Sequence, residues 1–209
     1  MSDRPPLRLA VLLSGSGRTL QNFIDLADKG QLPVTLESVI SSRPDVYGLT
    51  RAHNAGIPTT VVDRRALTAE QFNERLTTAV DAARPDLICM AGFLSLWTIP
   101  DRYAGKVMNI HPALLPDFGG KGFFGHHVHQ AVLAAGAKTT GCTVHFADNQ
   151  YDHGPTIIQE AVPVLPNDTP ESLATRVFEK ELTAYPAAIR LYHANQITLD
   201  GKTAHIAAE

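Results

Sequence analysis

Cysteine is scarce in this chain, and the two that occur give no sign of a disulfide framework or a zinc site. Cys89 and Cys142 are the only cysteines among the 209 residues. Each lies inside an apolar run that predicts a buried strand, so we expect both to be small core residues.

Long hydrophobic runs are absent as well. The apolar stretch near the N-terminus, LRLAVLL, is too short to span a membrane and runs directly into glycines and Arg18. Because it lacks the small-residue cleavage site of a signal peptide, we interpret it as the first strand of a cytoplasmic protein.

Charge of one sign is not concentrated in any segment. The formal net charge is -3 and no cluster of lysine and arginine stands out, so the sequence does not favour nucleic acid or an anionic membrane as a partner. No linker or charge block divides the chain, and its 44% of hydrophobic residues is typical of globular proteins. We expect a single domain over residues 1–209 that acts on small molecules, as a monomer or homodimer.

Short β-rich apolar runs alternate with longer amphipathic stretches through the first half of the chain. The predicted strands cover residues 7–13, 36–41, 59–62, 87–91 and 107–110. The predicted helices cover residues 19–27, 47–54 and 68–83. This alternation predicts parallel strands with covering helices.

The pattern changes after Pro112. A glycine-rich loop, FGGKGFFG, precedes a predicted helix over 128–135 and two predicted strands over 140–146 and 156–164. The tight connection between these strands predicts antiparallel pairing and hence a mixed sheet.

The last predicted helix begins at Thr169 and Pro170, a capping threonine followed by a proline at the first helical position. It runs towards Asn195, and we expect Pro186 to kink or interrupt it. Two final strands on either side of Gly201-Lys202, over 197–200 and 203–206, predict a terminal hairpin.

Asn109 and His111 are the first candidates for chemistry. Side chains alternate across a strand, so both residues leave the strand on the same side. Pro112 ends the strand there, and open α/β sheets bind their ligands at such ends. The pattern predicts a catalytic pair, although two satisfied polar residues at a strand end remain an alternative.

Asp152 lies in the turn Asp152-His153-Gly154-Pro155 between the two late strands. It could be only a turn residue. If it meets His111, its carboxylate should favour the imidazolium form and raise the pKa of His111, which would give an acid or base usable near neutral pH.

The turn Ser14-Gly15-Ser16-Gly17-Arg18-Thr19 lies between the first strand and the first helix. Its glycines would let backbone N–H groups approach a phosphate, although a plain strand-to-helix turn remains equally open. It lacks the third glycine of a dinucleotide fingerprint and the Gly-Lys-Ser/Thr of a P-loop. The histidines at 126, 127 and 129 have no accompanying metal-binding motif, so no metal site is expected.

Six segments spread over nearly the whole chain carry a family resemblance: SGSGRTLQNFID, MAGFL, NIHPALLP, GCTVHF, YDHGP and RVFEKELTAYP. They closely resemble the phosphoribosylglycinamide formyltransferases, the folate-dependent glycinamide ribonucleotide transformylases of the formyltransferase superfamily. The resemblance implies an α/β, Rossmann-like formyltransferase fold, with a mostly parallel mixed sheet and helices on both faces. The related deformylases carry an additional N-terminal domain and the methionyl-tRNA formyltransferases a C-terminal one, and we expect neither here.

The resemblance also assigns roles to residues. Asn109, His111 and Asp152 match the catalytic trio. The positions that match substrate contacts are Gly17, Arg18 and Thr19, for the ribonucleotide phosphate, and Glu181, for the glycinamide amine. The positions that match the folate site are Leu94, Ser95, Leu96, Trp97, Asn109, Asp148, Asn149, Gln150 and Tyr151.

The implied reaction moves a formyl group from 10-formyltetrahydrofolate to the amine of phosphoribosylglycinamide, a step of purine biosynthesis that needs no metal. Asn109 and a cationic His111 would stabilise the charge that develops on the formyl oxygen. Asp152 would orient His111 and keep it protonated, and either group could move the proton from the amine to the departing nitrogen.

Three positions depart from the family pattern. Ser95 and Ala69 stand where other members carry arginines near the folate, and Phe178 stands where a basic or amide residue often helps to hold the phosphate. Arg18, Lys121 and Lys180 are candidates to replace them, and the loop 119–125 is longer than in the shortest members. Two other functions stay open: formyl transfer to another amine, such as an amino sugar nucleotide, and folate or nucleotide binding without catalysis.

Overall fold

Seven strands form the main sheet of the computed structural model, which describes residues 4–201 and 203–207. The strands are β1 (Leu7–Leu13), β2 (Val34–Ser41), β3 (Thr59–Val61), β4 (Leu87–Met90), β5 (Val107–His111), β6 (Thr139–Phe146) and β7 (Thr156–Pro163). Their order in the sheet is β3-β2-β1-β4-β5-β6-β7. Two further strands, β8 (Ile197–Asp200) and β9 (Thr203–Ile206), pair with each other.

The α-helices of the described residues are α1 (Arg18–Asp28), α2 (Tyr47–Asn54), α3 (Ala69–Ala83), α4 (His126–Ala134) and α5 (Pro170–His193), and short 3-10 helices lie at Arg64–Ala66 and Asp101–Tyr103. The predicted helices and strands are confirmed to within about two residues at each end. In the described residues no helix combines the length and the apolar character that a membrane crossing requires.

The chain divides between Met108 and Asn109 into two compact units. The single domain over residues 1–209 therefore stays a prediction. The terminal hairpin is confirmed by the antiparallel pairing of β8 with β9, while Lys202 of its predicted turn lies outside the described residues.

In the first unit the parallel strands predicted from the alternating pattern are confirmed. β1 pairs in parallel with β2 and β4, and β2 pairs in parallel with β3. α1 buries Leu20, Phe23 and Ile24, whose spacing of three and four places them on one helical face. α3 begins after Thr68, where Thr68 and Gln71 form a reciprocal capping box.

In the second unit the antiparallel pairing of β6 with β7 is confirmed, so the sheet is mixed. Cys142 in β6 is fully buried, as is Cys89 in β4 of the first unit, and both are free thiols. The prediction that both are core residues is confirmed.

Pro186 does not interrupt α5, which continues to His193, so that half of the prediction is wrong, and a kink at Pro186 stays a prediction. Its start is as predicted, with a capping box at Thr169 and Pro170 in the first turn. Proline donates no N–H to a helix, but Pro186 and its neighbour Tyr185 are buried. Burial of this apolar face outweighs one missing backbone hydrogen bond.

The three clustered histidines of α4 have separate environments. His126 pairs with Glu171 at 3.3 Å, and the exposed His127 packs edge-on against Phe124. His129 is buried, and its Nδ1 has no hydrogen-bond partner among the described residues. Within residues 4–201 and 203–207 no group of three potential ligands is arranged to hold a metal ion.

Burial, together with the positive charges that His126 and His111 can carry, lowers the pKa of His129 to about 4. Between about pH 6.5 and about pH 4, His129 therefore binds a proton in the unfolded chain but stays neutral in the folded protein. Stability linked to this group is present above about pH 6.5 and is lost as the pH falls towards about 4.

Gly154 explains why the motif Asp152-His153-Gly154 requires glycine. A Cβ atom on Gly154 would collide with the backbone carbonyl oxygen of Phe146. The Gly154 segment therefore lies directly against the end of β6, and this close approach fixes where the turn carrying Asp152 sits.

We expect Gly154→Ala to destabilise the protein by roughly 2 kcal/mol, because the backbone must move to admit the methyl group. Urea unfolding measures the change. Gly15→Ala is the control, since a Cβ there would meet no atom within 4 Å. Equal stability of the two variants would show that the Gly154 backbone yields freely.

We expect His129→Gln to make stability less sensitive to acid. Relative to wild type, the variant should retain about 3 kcal/mol more of its unfolding free energy between about pH 7 and about pH 4, since the proton uptake by the unfolded His129 is removed. Urea unfolding at both pH values provides the comparison, with His127→Gln as an exposed control. If His129→Gln loses as much unfolding free energy as wild type between these pH values, groups other than His129 cause the loss of stability in acid.

Candidate active site

The end of β5 and the connection between β6 and β7 bring Asn109, His111 and Asp152 together in the second unit. His111 Nδ1 lies 3.4 Å from Asp152 Oδ2, and Asn109 Nδ2 donates to Asp152 Oδ1 at 3.4 Å. The first two residues share one side of β5, as the alternation of side chains requires. The structure therefore assembles all three residues of the predicted trio.

Asp152 is held in place from several directions. The N–H of Gly120 donates to Asp152 Oδ2 at 2.9 Å, and the residue itself has a positive φ of 53°. Burial acts to raise the pKa of Asp152, but the nearby His145 ring, whose Nε2 lies 3.7 Å from Asp152 Oδ1, the charge of His111 and the Gly120 N–H together hold this pKa below its ordinary value. The carboxylate is therefore ionised at neutral pH.

His111 is buried, with 3% of its surface exposed. Its Nε2 lies 2.8 Å from the Phe118 carbonyl oxygen, and because a carbonyl only accepts, Nε2 carries the proton. Burial lowers the pKa of His111, and Asp152 and Phe118 offset this only in part. Asp152 raises this pKa as predicted, but the loss of hydration lowers it more, so the expectation of a cationic His111 is wrong.

His145 in β6 completes the cluster, and the sequence did not reveal this role. Its Nδ1 donates to the Phe146 carbonyl at 2.9 Å, so in the neutral ring Nε2 is an acceptor. Nε2 lies 3.1 Å from Asn109 Nδ2, which fixes the orientation of the Asn109 amide. The signal in the sequence is a histidine within a predicted strand, which fits a core or supporting residue.

The turn at Gly17, Arg18 and Thr19 lies in the first unit, between β1 and α1. Gly17 has a φ of 70° and precedes the helix without a side-chain cap, so the glycine supplies a backbone conformation that other residues rarely adopt. Ser14 fixes the start of the turn: its Oγ lies 2.6 Å from Ser42 Oγ and accepts the Leu94 N–H at 2.9 Å.

The predicted folate segment of the first unit divides into exposed and buried residues. Leu96 is 42% exposed, whereas Trp97 is 1% exposed. The Trp97 indole donates to Thr77 at 3.0 Å and packs against the Tyr103 ring. The Trp97 side chain is thus packed in the core, and the place of this residue in the folate site stays a prediction.

The second predicted folate segment forms a self-bonded turn. Asp148 accepts the Gln150 N–H at 2.8 Å and a bond from His153 at 2.6 Å. Tyr151 is partly exposed and lines a cavity of about 490 Å³ in the second unit. The residues lining it are Leu115, Pro116, Gly119, Gly120, Tyr151, Asp152, His153, Gly154, Thr156, Thr203 and Ala204.

Glu181 lies on α5 within electrostatic range of Cys142. Burial, followed by the charge of Glu181, raises the pKa of the Cys142 thiol to about 12, so this thiol is unreactive at neutral pH. Of the candidate replacements for missing basic residues, Lys180 pairs with Glu160 at 3.4 Å. Lys121 is exposed, as expected for a residue of the glycine-rich loop.

The chain matches the family described as formyl transferase over residues 7–189. It is 34% identical over 206 residues to the phosphoribosylglycinamide formyltransferase of Escherichia coli (strain K12), and this covers 94% of the chain and 95% of that protein. It is also 42% identical over 189 residues to the trifunctional purine biosynthetic protein adenosine-3 of Drosophila melanogaster, covering 88% of the chain but only 14% of that much longer protein.

A solved structure agrees with these matches. The glycinamide ribonucleotide transformylase 1 of Symbiobacterium toebii is 38% identical, with a TM-score of 0.90 over 97% of this chain and 95% of that one. The predicted formyltransferase fold is confirmed by this similarity. The chain therefore belongs to the formyl transferase family, and within it to the phosphoribosylglycinamide formyltransferases.

Proposed function

We propose that this chain transfers a formyl group from 10-formyltetrahydrofolate to the amine of 5-phosphoribosylglycinamide. The products are formylglycinamide ribonucleotide and tetrahydrofolate, and the reaction is a step of purine biosynthesis. The observation that carries the proposal is the buried cluster of Asn109, His111 and Asp152, in a chain of this family.

When bound, 10-formyltetrahydrofolate supplies the formyl carbon that the amine attacks. Asn109 stabilises the charge on the formyl oxygen. One amide hydrogen of Asn109 is committed to His145 at 3.1 Å, whereas the other makes a weaker bond to Asp152 at 3.4 Å. The amide hydrogen that faces Asp152 is the one that turns to the formyl oxygen, because breaking its long hydrogen bond costs less free energy.

His111 receives the proton that the attacking amine loses. Its lowered pKa keeps the ring neutral, and because Nε2–H is held by the Phe118 carbonyl, Nδ1 is the basic nitrogen. A proton at Nδ1 then faces Asp152, which stabilises the imidazolium. His111 passes this proton, directly or through water, to the departing nitrogen of the folate.

The other predicted site residues bind the two substrates. Gly17, Arg18 and Thr19 receive the phosphate at backbone N–H groups, and Glu181 contacts the amine. The cavity beside Asp152 has a volume in the range of small-molecule sites, and Tyr151 on its wall offers an aromatic surface. We assign the folate contacts to Leu94, Ser95 and Leu96, to Asn109, and to Asp148, Asn149, Gln150 and Tyr151.

We expect Asn109→Ala, His111→Ala and Asp152→Ala each to lower kcat for formyl transfer by about 10²-fold or more, since each removes a donor or a proton carrier from the reacting atoms. Turnover of purified protein with both substrates provides the measurement, and Asp28→Asn on an exposed position of α1 is the control. Wild-type activity in all three variants would rule out this mechanism. Equal turnover of a competing amino sugar nucleotide would rule out the proposed acceptor.

We expect kcat/KM to fall as the pH falls through the pKa of His111, because protonation removes the base. Asp152→Asn removes the negative charge that raises this pKa, so the acidic limb should move to lower pH, together with a lower maximum. Rates measured between about pH 5 and about pH 8 locate the limb. A shift towards higher pH would contradict the assignment of His111 as the base.

A further inference from the structure

Helix α2 holds two consecutive carbonyl groups of the turn that precedes α1. The Gly48 N–H donates to the Gly15 carbonyl at 3.2 Å. One turn later in the same helix, Arg51 Nε donates to the Ser16 carbonyl at 3.0 Å. All of these residues lie within the first unit.

A hydrogen bond that fixes the orientation of a carbonyl also fixes the orientation of the next residue's N–H, because both belong to one planar peptide group. In a planar trans peptide the C=O and N–H bonds point in opposite directions. Since the carbonyls of Gly15 and Ser16 point towards α2, the N–H groups of Ser16 and Gly17 point away from it. Neither N–H donates to an acceptor within the described residues, so a pair of neighbouring donors is presented outwards.

Arg51 is itself held rigidly. Its Nη1 donates to Gln21 Oε1 at 2.9 Å, and its guanidinium lies 4.8 Å from the centre of the Tyr47 ring. Gln21 belongs to α1, and its own N–H bonds to the Gly17 carbonyl at 2.9 Å. The planar guanidinium therefore joins the turn, α1 and α2 through one side chain, which a lysine ammonium could not reproduce.

The two glycines at this contact have a steric reason. A Cβ atom on Gly17 would lie 2.6 Å from the Gly48 Cα. A Cβ atom on Gly48 would lie 2.7 Å from a methyl group of Leu13 and 3.0 Å from the Gly15 oxygen. Helix α2 thus packs backbone to backbone against the turn, which places Arg51 within reach of Ser16.

We propose that Arg51 is a positioning residue for the phosphate monoester of the substrate: it orients the N–H groups of Ser16 and Gly17 by holding the turn from behind. This inference rests on the proposed function for the identity of the phosphate-bearing substrate. It adds Ser16 to the phosphate-binding backbone and gives α2 a role in recognition.

The first experiment compares Arg51→Lys and Arg51→Gln with Arg75→Gln, a control at an exposed position of α3. Losing oriented hydrogen bonds to a charged group should raise KM for phosphoribosylglycinamide about tenfold or more. KM for the folate should stay within about twofold, because the folate does not use this turn. Both Arg51 variants should bind phosphoribosylglycinamide more weakly, since lysine keeps the positive charge but lacks the planar guanidinium that donates to two acceptors at once.

A substrate that lacks the phosphate separates positioning from general damage. With glycinamide riboside, wild type and both Arg51 variants should have the same kcat/KM. An equal loss with riboside and ribonucleotide would overturn the proposal. Wild-type behaviour of Arg51→Lys beside an impaired Arg51→Gln would also overturn it, because charge alone would then account for the effect. Thermal unfolding shows whether each variant is folded.

Calorimetric titration with ribose 5-phosphate tests the inference independently of turnover. Wild type and Arg75→Gln should bind it about tenfold or more tightly than Arg51→Lys does. Equal binding by all of them would overturn the role of Arg51. If wild type binds ribose 5-phosphate in this Arg51-dependent way but transfers no formyl group, the inference stands and the proposed function fails.

Discussion

One buried carboxylate organises the cluster at the end of β5. Asp152 faces His111 and Asn109 at 3.4 Å and accepts the Gly120 N–H at 2.9 Å. An ionised carboxylate with so little contact with water persists only where donors surround it. The donors around Asp152 therefore keep it ionised, and its charge acts on His111, whose tautomer is fixed by the Phe118 carbonyl.

The pKa values of His111 and Asp152 are both lower than usual, for opposite reasons. Loss of hydration disfavours the charged imidazolium, whereas the donors around Asp152 favour the charged carboxylate. The pair therefore rests as a neutral imidazole beside an anion. Gaining a proton at Nδ1 turns this arrangement into an ion pair, so the cost of charging the buried ring is reduced at the moment of proton transfer.

The sequence predicted which residues form this cluster better than it predicted their protonation and hydrogen bonding. Asn109 and His111 were predictable because the alternation of a strand is local, and Asp152 followed from a family motif. The orientation of the Asn109 amide was not, since it depends on the His145 tautomer and hence on a backbone carbonyl. The lowered pKa of His111, the burial of Trp97 and the continuity of α5 at Pro186 likewise depend on tertiary packing.

The strand order also has a consequence for aggregation. It leaves β3 and β7 at the two edges of the sheet, where unpaired backbone groups can recruit a strand from another molecule. β3 has only three residues, and β7 ends at Pro163, which has no N–H to offer. The β3 edge is thus a poor template for an added strand, and Pro163 removes one backbone donor from the end of the β7 edge.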